Sequence, residues 1–395
     1  MSHAIVIGGG IGGLTAAAAL SLRGWSVTVL ERAASLDPVG SGIAIAPNAL
    51  RALDTIGVGD DVRKLSALQG AAGLRRVDGR WLTRTSAEAA AARYGDPTVL
   101  LLRSTLVNLL AGRLGPAALR LGTTAHAVDP ETGRVSTGDG DLEGDLVVAA
   151  DGIHSAVRRA LFPAHPEPVH SGVTSWRIVV PRPEGDVRGS ETWGRGQVFG
   201  IMPLADGLVY AYATAPADRD GLGSATGSNG RDDPDGGREK AELARLFAGW
   251  HDPIPRLIAS AAEDRILRHD LLFLDPPLPA FHVGRVALLG DAAHAMTPNL
   301  GQGACQAIED AVVLAHVTGG SGHRPGVDLA AYTAARLART AKIMRRSRAV
   351  CRVTLWSNPL AVRARELGMS LAGRLGDDIA LRQFDDVFTW RPPVS

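Results

Sequence analysis

Three glycines near the amino terminus have the spacing of a loop that binds the phosphates of a dinucleotide. They are Gly8, Gly10 and Gly13, in the pattern Gly-x-Gly-x-x-Gly, and we predict that Gly12, between the last two, also contacts the cofactor. The first glycine allows a tight turn, the second lets the backbone approach a pyrophosphate, and the third lets the following helix pack closely. Glu31, about 20 residues further on, can accept hydrogen bonds from ribose hydroxyls. Its charge repels a 2′-phosphate, which disfavours NADP in this site and leaves FAD and NAD both open.

A second loop, in the last third of the chain, has residue types that could hold the reactive part of such a cofactor. The pair Gly290-Asp291 ends an apolar segment, and the carboxylate of Asp291 can accept hydrogen bonds from sugar-alcohol hydroxyls. Pro298 then stiffens a loop that ends in Gly301-Gln302-Gly303, and a helix follows through about Val313. The amino terminus of that helix favours negative charge, such as that on the pyrimidine of a reduced flavin.

The elements that must position these loops form an α/β fold. An apolar strand at 4–7, the glycine turn, a helix at 14–23 and a second strand at 25–31 make one βαβ unit. The segments 145–152 and 285–291 are further buried strands, each ending in an acidic turn. A helix begins near Pro47, where the first turn tolerates proline. The sequence predicts a Rossmann-like domain that a late segment of the chain completes.

Strand-like segments predict a second domain, made mostly of antiparallel sheet. They span 172–181, 191–204 and 207–215. The pocket liners that we predict on this sheet are Trp176, Arg177, Trp193, Phe199, Met202, Tyr210 and Tyr212. Alternation places Tyr210 and Tyr212 on one face, where aromatic rings suit a flat substrate and Arg177 can bind a phenolate or carboxylate. We predict a mobile polar loop at 217–239, and a basic helix at 332–356 whose charges face solvent.

Composition excludes several classes of function. With 42 basic and 41 acidic residues, the chain has no global field that would attract nucleic acid. Two cysteines, Cys305 and Cys351, are too few for a disulfide framework, so we expect a cytoplasmic protein. No run approaches the ~20 apolar residues needed to cross a bilayer. No cluster has metal-ligand spacing, and we expect no bound metal.

Three motifs, taken in order, resemble those of the flavoprotein aromatic hydroxylases, the para-hydroxybenzoate hydroxylase-like class. They are the glycine loop, "LVVAADGIHSAVRRAL" at 146–161 and "VALLGDAAHAMTPNLGQGACQAIEDAVVLA" at 286–315. The resemblance implies non-covalent FAD, with Asp151-Gly152 serving both FAD and NAD(P)H and with Asp291 on the ribityl chain. It also implies that Arg103, in "LLRSTL", contacts the flavin, and that Arg32 flanks the adenosine.

The resemblance further implies a monooxygenase. Such an enzyme uses NAD(P)H and O₂ to hydroxylate or epoxidise a small aromatic or conjugated substrate through a flavin C4a-hydroperoxide. Pro298, Gly301, Arg177, Tyr210 and Tyr212 are the candidate catalytic residues, and a monomer or homodimer is expected. The implied division assigns 1–75, 98–165 and 265–325 to the FAD-binding domain, 76–97 and 166–264 to the substrate-binding domain, and 326–395 to a C-terminal helical region.

Two other interpretations stay open. A flavin oxidase or dehydrogenase would show flavin reduction by its substrate without NAD(P)H, and a non-catalytic flavin- or ligand-binding protein would bind FAD without turnover. His154 and His294 lie inside the motifs, but lone histidines are more often structural than catalytic. Cys305 stands at a helix start and is expected to be a buried packing residue.

Overall fold

The structure, a computed structural model, describes residues 2–36, 40–66, 71–217, 237–319, 328–374 and 381–393. Its strands are β1 (His3–Ile7), β2 (Ser26–Glu31), β3 (Gly42–Ile45), β4 (Ala71–Arg76), β5 (Trp81–Ser86), β6 (Val99–Leu102), β7 (Leu119–Leu121), β8 (Ala125–Asp129), β9 (Arg134–Thr137), β10 (Gly140–Glu143), β11 (Leu146–Ala149), β12 (Val169–Pro181), β13 (Ser190–Trp193), β14 (Val198–Pro203), β15 (Leu208–Pro216), β16 (Leu267–Phe273), β17 (His282–Val283) and β18 (Val286–Leu288). Its α-helices are α1 (Ile11–Leu22), α2 (Pro47–Asp54), α3 (Gly59–Arg63), α4 (Ala87–Tyr94), α5 (Arg103–Ala111), α6 (Ala156–Leu161), α7 (Gly237–Leu246), α8 (Ile254–Ser260), α9 (Asp291–His294), α10 (Gly303–Val317), α11 (Leu329–Thr354), α12 (Pro359–Arg374) and α13 (Asp385–Phe388).

The first sheet has six strands in the order β17-β18-β11-β1-β2-β7. All neighbours run parallel except β17 and β18. The central strands are apolar and buried, as expected for a parallel sheet that is covered on both faces. Helix α1 packs between this sheet and α10, which explains why α1 is apolar on nearly all sides.

The second sheet has seven strands in the order β16-β12-β15-β14-β13-β4-β5. Its neighbours are antiparallel except β13 and β4. One face carries a hydrophobic core shared with α7 and α8. This arrangement confirms the predicted fold class, a Rossmann-like α/β fold combined with a mostly antiparallel sheet and C-terminal helices.

Several details differ from the sequence-based expectations. Strands β4 and β16 belong to the second sheet, whereas the predicted boundaries placed 71–75 and 265–273 with the FAD-binding domain. Of the loop expected at 217–239, residues 218–236 lie outside the described ranges, and 237–239 begin α7. The solvent-facing charges expected at 332–356 include exposed Arg345, but Arg336 is fully buried. None of the helices in the described ranges has the length and apolar character needed to traverse a lipid bilayer.

Candidate active site

The three motifs meet at the carboxyl edge of the six-stranded sheet. The last residues of β1, β11 and β18 are neighbours in register. A Cβ added to Gly8 would lie 2.3 Å from the carbonyl oxygen of Ala150, and one added to Gly12 would lie 2.5 Å from the Leu289 side chain. Glycine is therefore required at position 8, where the overlap is with backbone, whereas a methyl group at position 12 would displace the buried Leu289 side chain. Gly12, which we predicted as a cofactor contact, packs against protein.

Gly10 differs from its neighbours because space surrounds it. A Cβ there would meet only the Arg103 guanidinium, at 3.9 Å. Helix α1 begins directly afterwards, and its first N–H groups have no partner within the helix. Glu31 stabilises the loop, since its carboxylate accepts hydrogen bonds from the N–H of Gly9 at 2.6 Å and of Ala33 at 2.8 Å. The loop thus presents open backbone donors suited to phosphate oxygens.

The second motif carries a carboxylate with an unsatisfied oxygen. Asp151 Oδ2 accepts a long hydrogen bond of 3.4 Å from Val157 N, and Oδ1 is buried without a partner in the described part of the chain. Arg158 is buried and donates to the carbonyls of Ile153 at 2.7 Å and Ala292 at 3.3 Å. It joins the second motif to the third, a role that sequence reasoning missed.

The third motif places a carboxylate beside the amino terminus of α10. Asp291 is the first residue of α9, and its side chain is exposed. A Cβ at Gly303 would lie 3.9 Å from Asp291 Oδ1. The 3-10 turn Pro298–Leu300 ends at Gly301, where an added Cβ would meet no atom within 4 Å. Open space and free helix donors make this turn able to hold a polar ring edge.

Gln302 turns its side chain away from this open space. The side chain is buried, and its Oε1 accepts hydrogen bonds from Asn48 at 3.0 Å and from Gln306 at 3.1 Å. Its Nε2 is also buried and has no hydrogen-bond partner in the described part of the chain, so Oε1 is the only side-chain atom of Gln302 with a partner. Arg32, by contrast, is exposed and can approach a bound nucleotide only from solvent.

Two guanidinium groups face the same cleft. Arg103 begins α5 and is exposed to the cleft, yet surrounding protein desolvates it and lowers its pKa. Asp291 opposes that shift, and the like charge of Arg177, on β12, adds to it. Neither guanidinium donates a hydrogen bond to another described residue. A cleft of this kind favours an anionic group.

Two tyrosines lie on the cleft face of the second sheet, as predicted from alternation. Tyr212 is paired in register with Arg177, and the rings of Tyr210 and Tyr212 lie 6.0 Å apart. Each ring occupies space that a glycine leaves free. A Cβ at Gly42 would lie 2.4 Å from the Tyr210 ring, and one at Gly200 would lie 2.1 Å from the Tyr212 ring.

The Tyr212 phenol is oriented by a glutamate that the sequence did not single out. Its O–H donates to Glu191 Oε1, and Trp193 Nε1 donates to Glu191 Oε2 at 2.9 Å. Burial, together with the negative charge of Glu191, raises the pKa of Tyr212 well above its usual value. The phenol therefore stays protonated, and its oxygen lone pairs are the part left to meet a ligand.

Three of the predicted pocket liners do not line the pocket. Trp176 and Phe199 lie on the opposite face, in the core shared with α7 and α8, because strand residues alternate between faces. Trp193 is on the correct face, but the Arg365 guanidinium, 5.4 Å from its ring centre, covers it. Met202, which we predicted as a pocket liner, packs with the two tyrosines.

Three histidines and one cysteine differ in how far they are exposed to solvent. His154 is exposed, whereas His294 is fully buried with Nε2 2.5 Å from Asp310 Oδ2. Cys305 is buried as expected, and burial raises the pKa of its thiol to about 12. On β16, burial and the charge of Arg177 lower the pKa of His269, whose Nδ1 is buried with no hydrogen-bond partner among the described residues.

These features fit FAD. The orphaned Asp151 oxygen, the open backbone at Gly10 and the guanidinium of Arg103 would hold its polar groups, and Asp291 would bind its sugar-alcohol chain. The fold and the site together define a dinucleotide-binding protein whose second sheet faces the cofactor cleft.

Comparison with known proteins identifies which kind of dinucleotide-binding protein this is. A family model described as "FAD binding domain" matches residues 1–180 and 278–347. The aurachin C monooxygenase/isomerase of Stigmatella aurantiaca is 39% identical over 368 residues, which cover 92% of each chain. The 3-amino-4-hydroxybenzoate 2-monooxygenase of Streptomyces cremeus is 35% identical over 87% of this chain and 85% of its own. Klebsiella pneumoniae HpxO, solved with FAD and uric acid, superposes with a TM-score of 0.87 at 27% identity, covering 98% of this chain and 96% of its own.

The chain belongs to the FAD-binding-domain family of flavoprotein aromatic hydroxylases. It is an FAD-dependent monooxygenase, which confirms the predicted family, cofactor and reaction class. The oxidase and non-catalytic interpretations have no support from these matches.

Proposed function

We propose that this monooxygenase takes electrons from NAD(P)H and transfers one oxygen atom of O₂ to a small aromatic ring carrying both a hydrogen-bond donor and an anionic oxygen. The observation that carries the proposal is the direction of the Tyr212 hydrogen bond. Because the phenol donates to Glu191, it offers the cleft an acceptor, and a substrate N–H or O–H satisfies it. Arg177, paired in register with Tyr212, can bind a phenolate or carboxylate on the same ring.

FAD, when bound, supplies the electron transfer and the activation of dioxygen. The protein residues orient the substrate and exclude water from it. Leu100, Met202 and Leu204 form an apolar cluster around the two tyrosines, which keeps this part of the cleft dry. Burial and the charge of Arg177 lower the pKa of His269 and favour its neutral form, so its buried Nδ1 can accept a hydrogen bond from a substrate hydroxyl.

The first experiment measures NADH and NADPH oxidation by the purified yellow holoenzyme in the presence of 3-amino-4-hydroxybenzoate, uric acid and 4-hydroxybenzoate. We expect at least one of these rings, each of which carries an N–H or O–H donor, to stimulate flavin reduction and to gain one oxygen atom by mass spectrometry. If none of these compounds does either, the proposed substrate class is wrong.

A matched pair of variants tests the role of the phenol oxygen. Tyr212→Phe should raise the KM of the active amino or N–H substrate by about 10-fold, the equivalent of one hydrogen bond. Tyr210→Phe is the comparison on the same face, and it should raise the KM less than Tyr212→Phe does, because the proposal assigns the substrate hydrogen bond to Tyr212. Equal KM values for the two variants would contradict the assigned role of Tyr212.

A further inference from the structure

Arg336 of α11 lies at the centre of a buried polar network behind the flavin-binding turns. Its Nε donates to Asp310 at 2.6 Å, and its Nη1 donates to Glu309 at 2.6 Å. All three side chains are essentially inaccessible to solvent. Charges buried this deeply are stable only when each is paired and hydrogen-bonded, so the geometry of the three groups is tightly coupled.

The first branch of the network ends at the turn that carries Asp291. While Asp310 Oδ1 accepts from Arg336, its Oδ2 accepts a hydrogen bond from the N–H of Gly290 at 3.0 Å. The same Oδ2 lies 2.5 Å from His294 Nε2, at the other end of α9. Asp310 therefore holds both ends of the short helix that begins with Asp291.

The second branch ends at the loop before α10. Glu309 accepts hydrogen bonds from Asn48 at 2.7 Å and from Gln306 at 3.0 Å. Asn48 and Gln306 in turn donate to Gln302 Oε1. Gln302 is the middle residue of the loop 301–303, so this branch fixes the position of the loop backbone.

We propose that Arg336 is a positioning residue for FAD, because its single guanidinium connects the two turns that hold the flavin. Glu309 and Asp310 are consecutive residues of α10, and the two branches start from different nitrogens of one planar group, so the guanidinium fixes both carboxylates relative to each other and to α11. A lysine carries the same charge but lacks the rigid fork needed to bridge two carboxylates. The proposal rests on FAD binding, and it does not depend on the substrate proposed above.

Arg336→Lys tests the proposal, with Arg339→Lys as the matched control. Arg339 also contacts Glu309, at 2.7 and 2.8 Å, but it is partly exposed and has no hydrogen bond to Asp310. Each holoenzyme is diluted, and the increase in flavin fluorescence gives the FAD dissociation constant. The visible circular dichroism of the bound flavin reports its environment, and urea unfolding reports stability.

Loss of a hydrogen bond between charged groups predicts that Arg336→Lys raises the FAD dissociation constant by about 10-fold or more and alters the flavin dichroism. Arg339→Lys should stay within about threefold of the wild type, since it leaves the Asp310 branch intact. The proposal is overturned if Arg336→Lys lowers stability while the dissociation constant and dichroism remain those of the wild type.

Asp310→Asn provides a second test if Arg336→Lys does not fold. It cuts the first branch by removing the charge, and it should weaken FAD binding by about 10-fold. Wild-type FAD affinity in this variant would also overturn the proposal. Failure of the substrate class would appear separately, as wild-type holoenzyme that binds FAD normally but is not stimulated by the aromatic panel.

Discussion

Substituting alanine at two glycines of the same loop should separate folding from cofactor binding. At Gly13, an added Cβ would lie 2.0 Å from the carbonyl oxygen of Gly8 and 3.3 Å from the Val6 side chain. The backbone must move to relieve this overlap, and overpacking of this kind costs about 1–3 kcal/mol or more. At Gly10, the nearest atom would be 3.9 Å away, so the folded protein accepts the methyl group.

Gly10→Ala should therefore leave the stability nearly unchanged while it weakens FAD binding. The free energy of unfolding of the FAD-free protein should stay within about 0.5 kcal/mol of the wild type or rise slightly, because alanine restricts the unfolded chain. FAD affinity should fall by about 10- to 100-fold, or about 1.4–2.8 kcal/mol, because the methyl group occupies the space through which the backbone meets the pyrophosphate.

Urea unfolding followed by far-ultraviolet circular dichroism measures the first quantity, and fluorescence titration with FAD measures the second. Gly13→Ala serves as the internal comparison, since it should lose stability even without FAD. The reasoning fails if Gly10→Ala binds FAD like the wild type, or if the two variants lose stability equally.

Two further predictions concern buried groups. Burial alone would raise the pKa of Asp310, but His294 and Arg336 outweigh it and lower the pKa to about 2. The folded pKa lies below the unfolded value of about 3.9, so this stabilisation is present above about pH 4 and is lost as the pH falls towards 2. The free energy of unfolding should decrease by about 2 kcal/mol over that range. Asp310→Asn should reduce this decrease at acid pH, and an unchanged decrease would exclude Asp310 as its source. Burial raises the pKa of both Cys305, to about 12, and Cys351, so neither thiol should react with a disulfide reagent at pH 8 until urea unfolds the protein; fast labelling of the folded protein would refute this.

The cofactor half of the site could be predicted because its requirements are local. A tight turn, a close approach to phosphate and close helix packing each require glycine at a fixed position, so the glycine spacing alone predicts all three features. Gly12 shows the limit of this logic. Its spacing matches the motif, but its contact is with Leu289, a partner that only the fold brings near.

The substrate half could not be predicted to the same extent. Alternation identified which residues of β15 share a face, but it did not tell which face of the sheet meets the cofactor. Trp176 and Phe199 were therefore assigned to the pocket, although α7 and α8 cover them. The charges on α11 were assigned to solvent for a similar reason, because a buried arginine is recognisable only once its partners on α10 are known.

In the proposed function, glycines outside the nucleotide loop contribute to substrate specificity. Gly42 and Gly200 leave room for the rings of Tyr210 and Tyr212, and a methyl group at either position would overlap a ring. The space beside Gly200 lets Tyr212 lie flat along the sheet with its O–H on Glu191, which makes the phenol an acceptor towards the cleft. A larger residue at 200 would displace that ring, free the phenol to donate, and reverse the hydrogen-bond polarity that the cleft offers. In the proposed function, the hydrogen-bond polarity of the pocket therefore depends on Gly200, a residue that has no side chain.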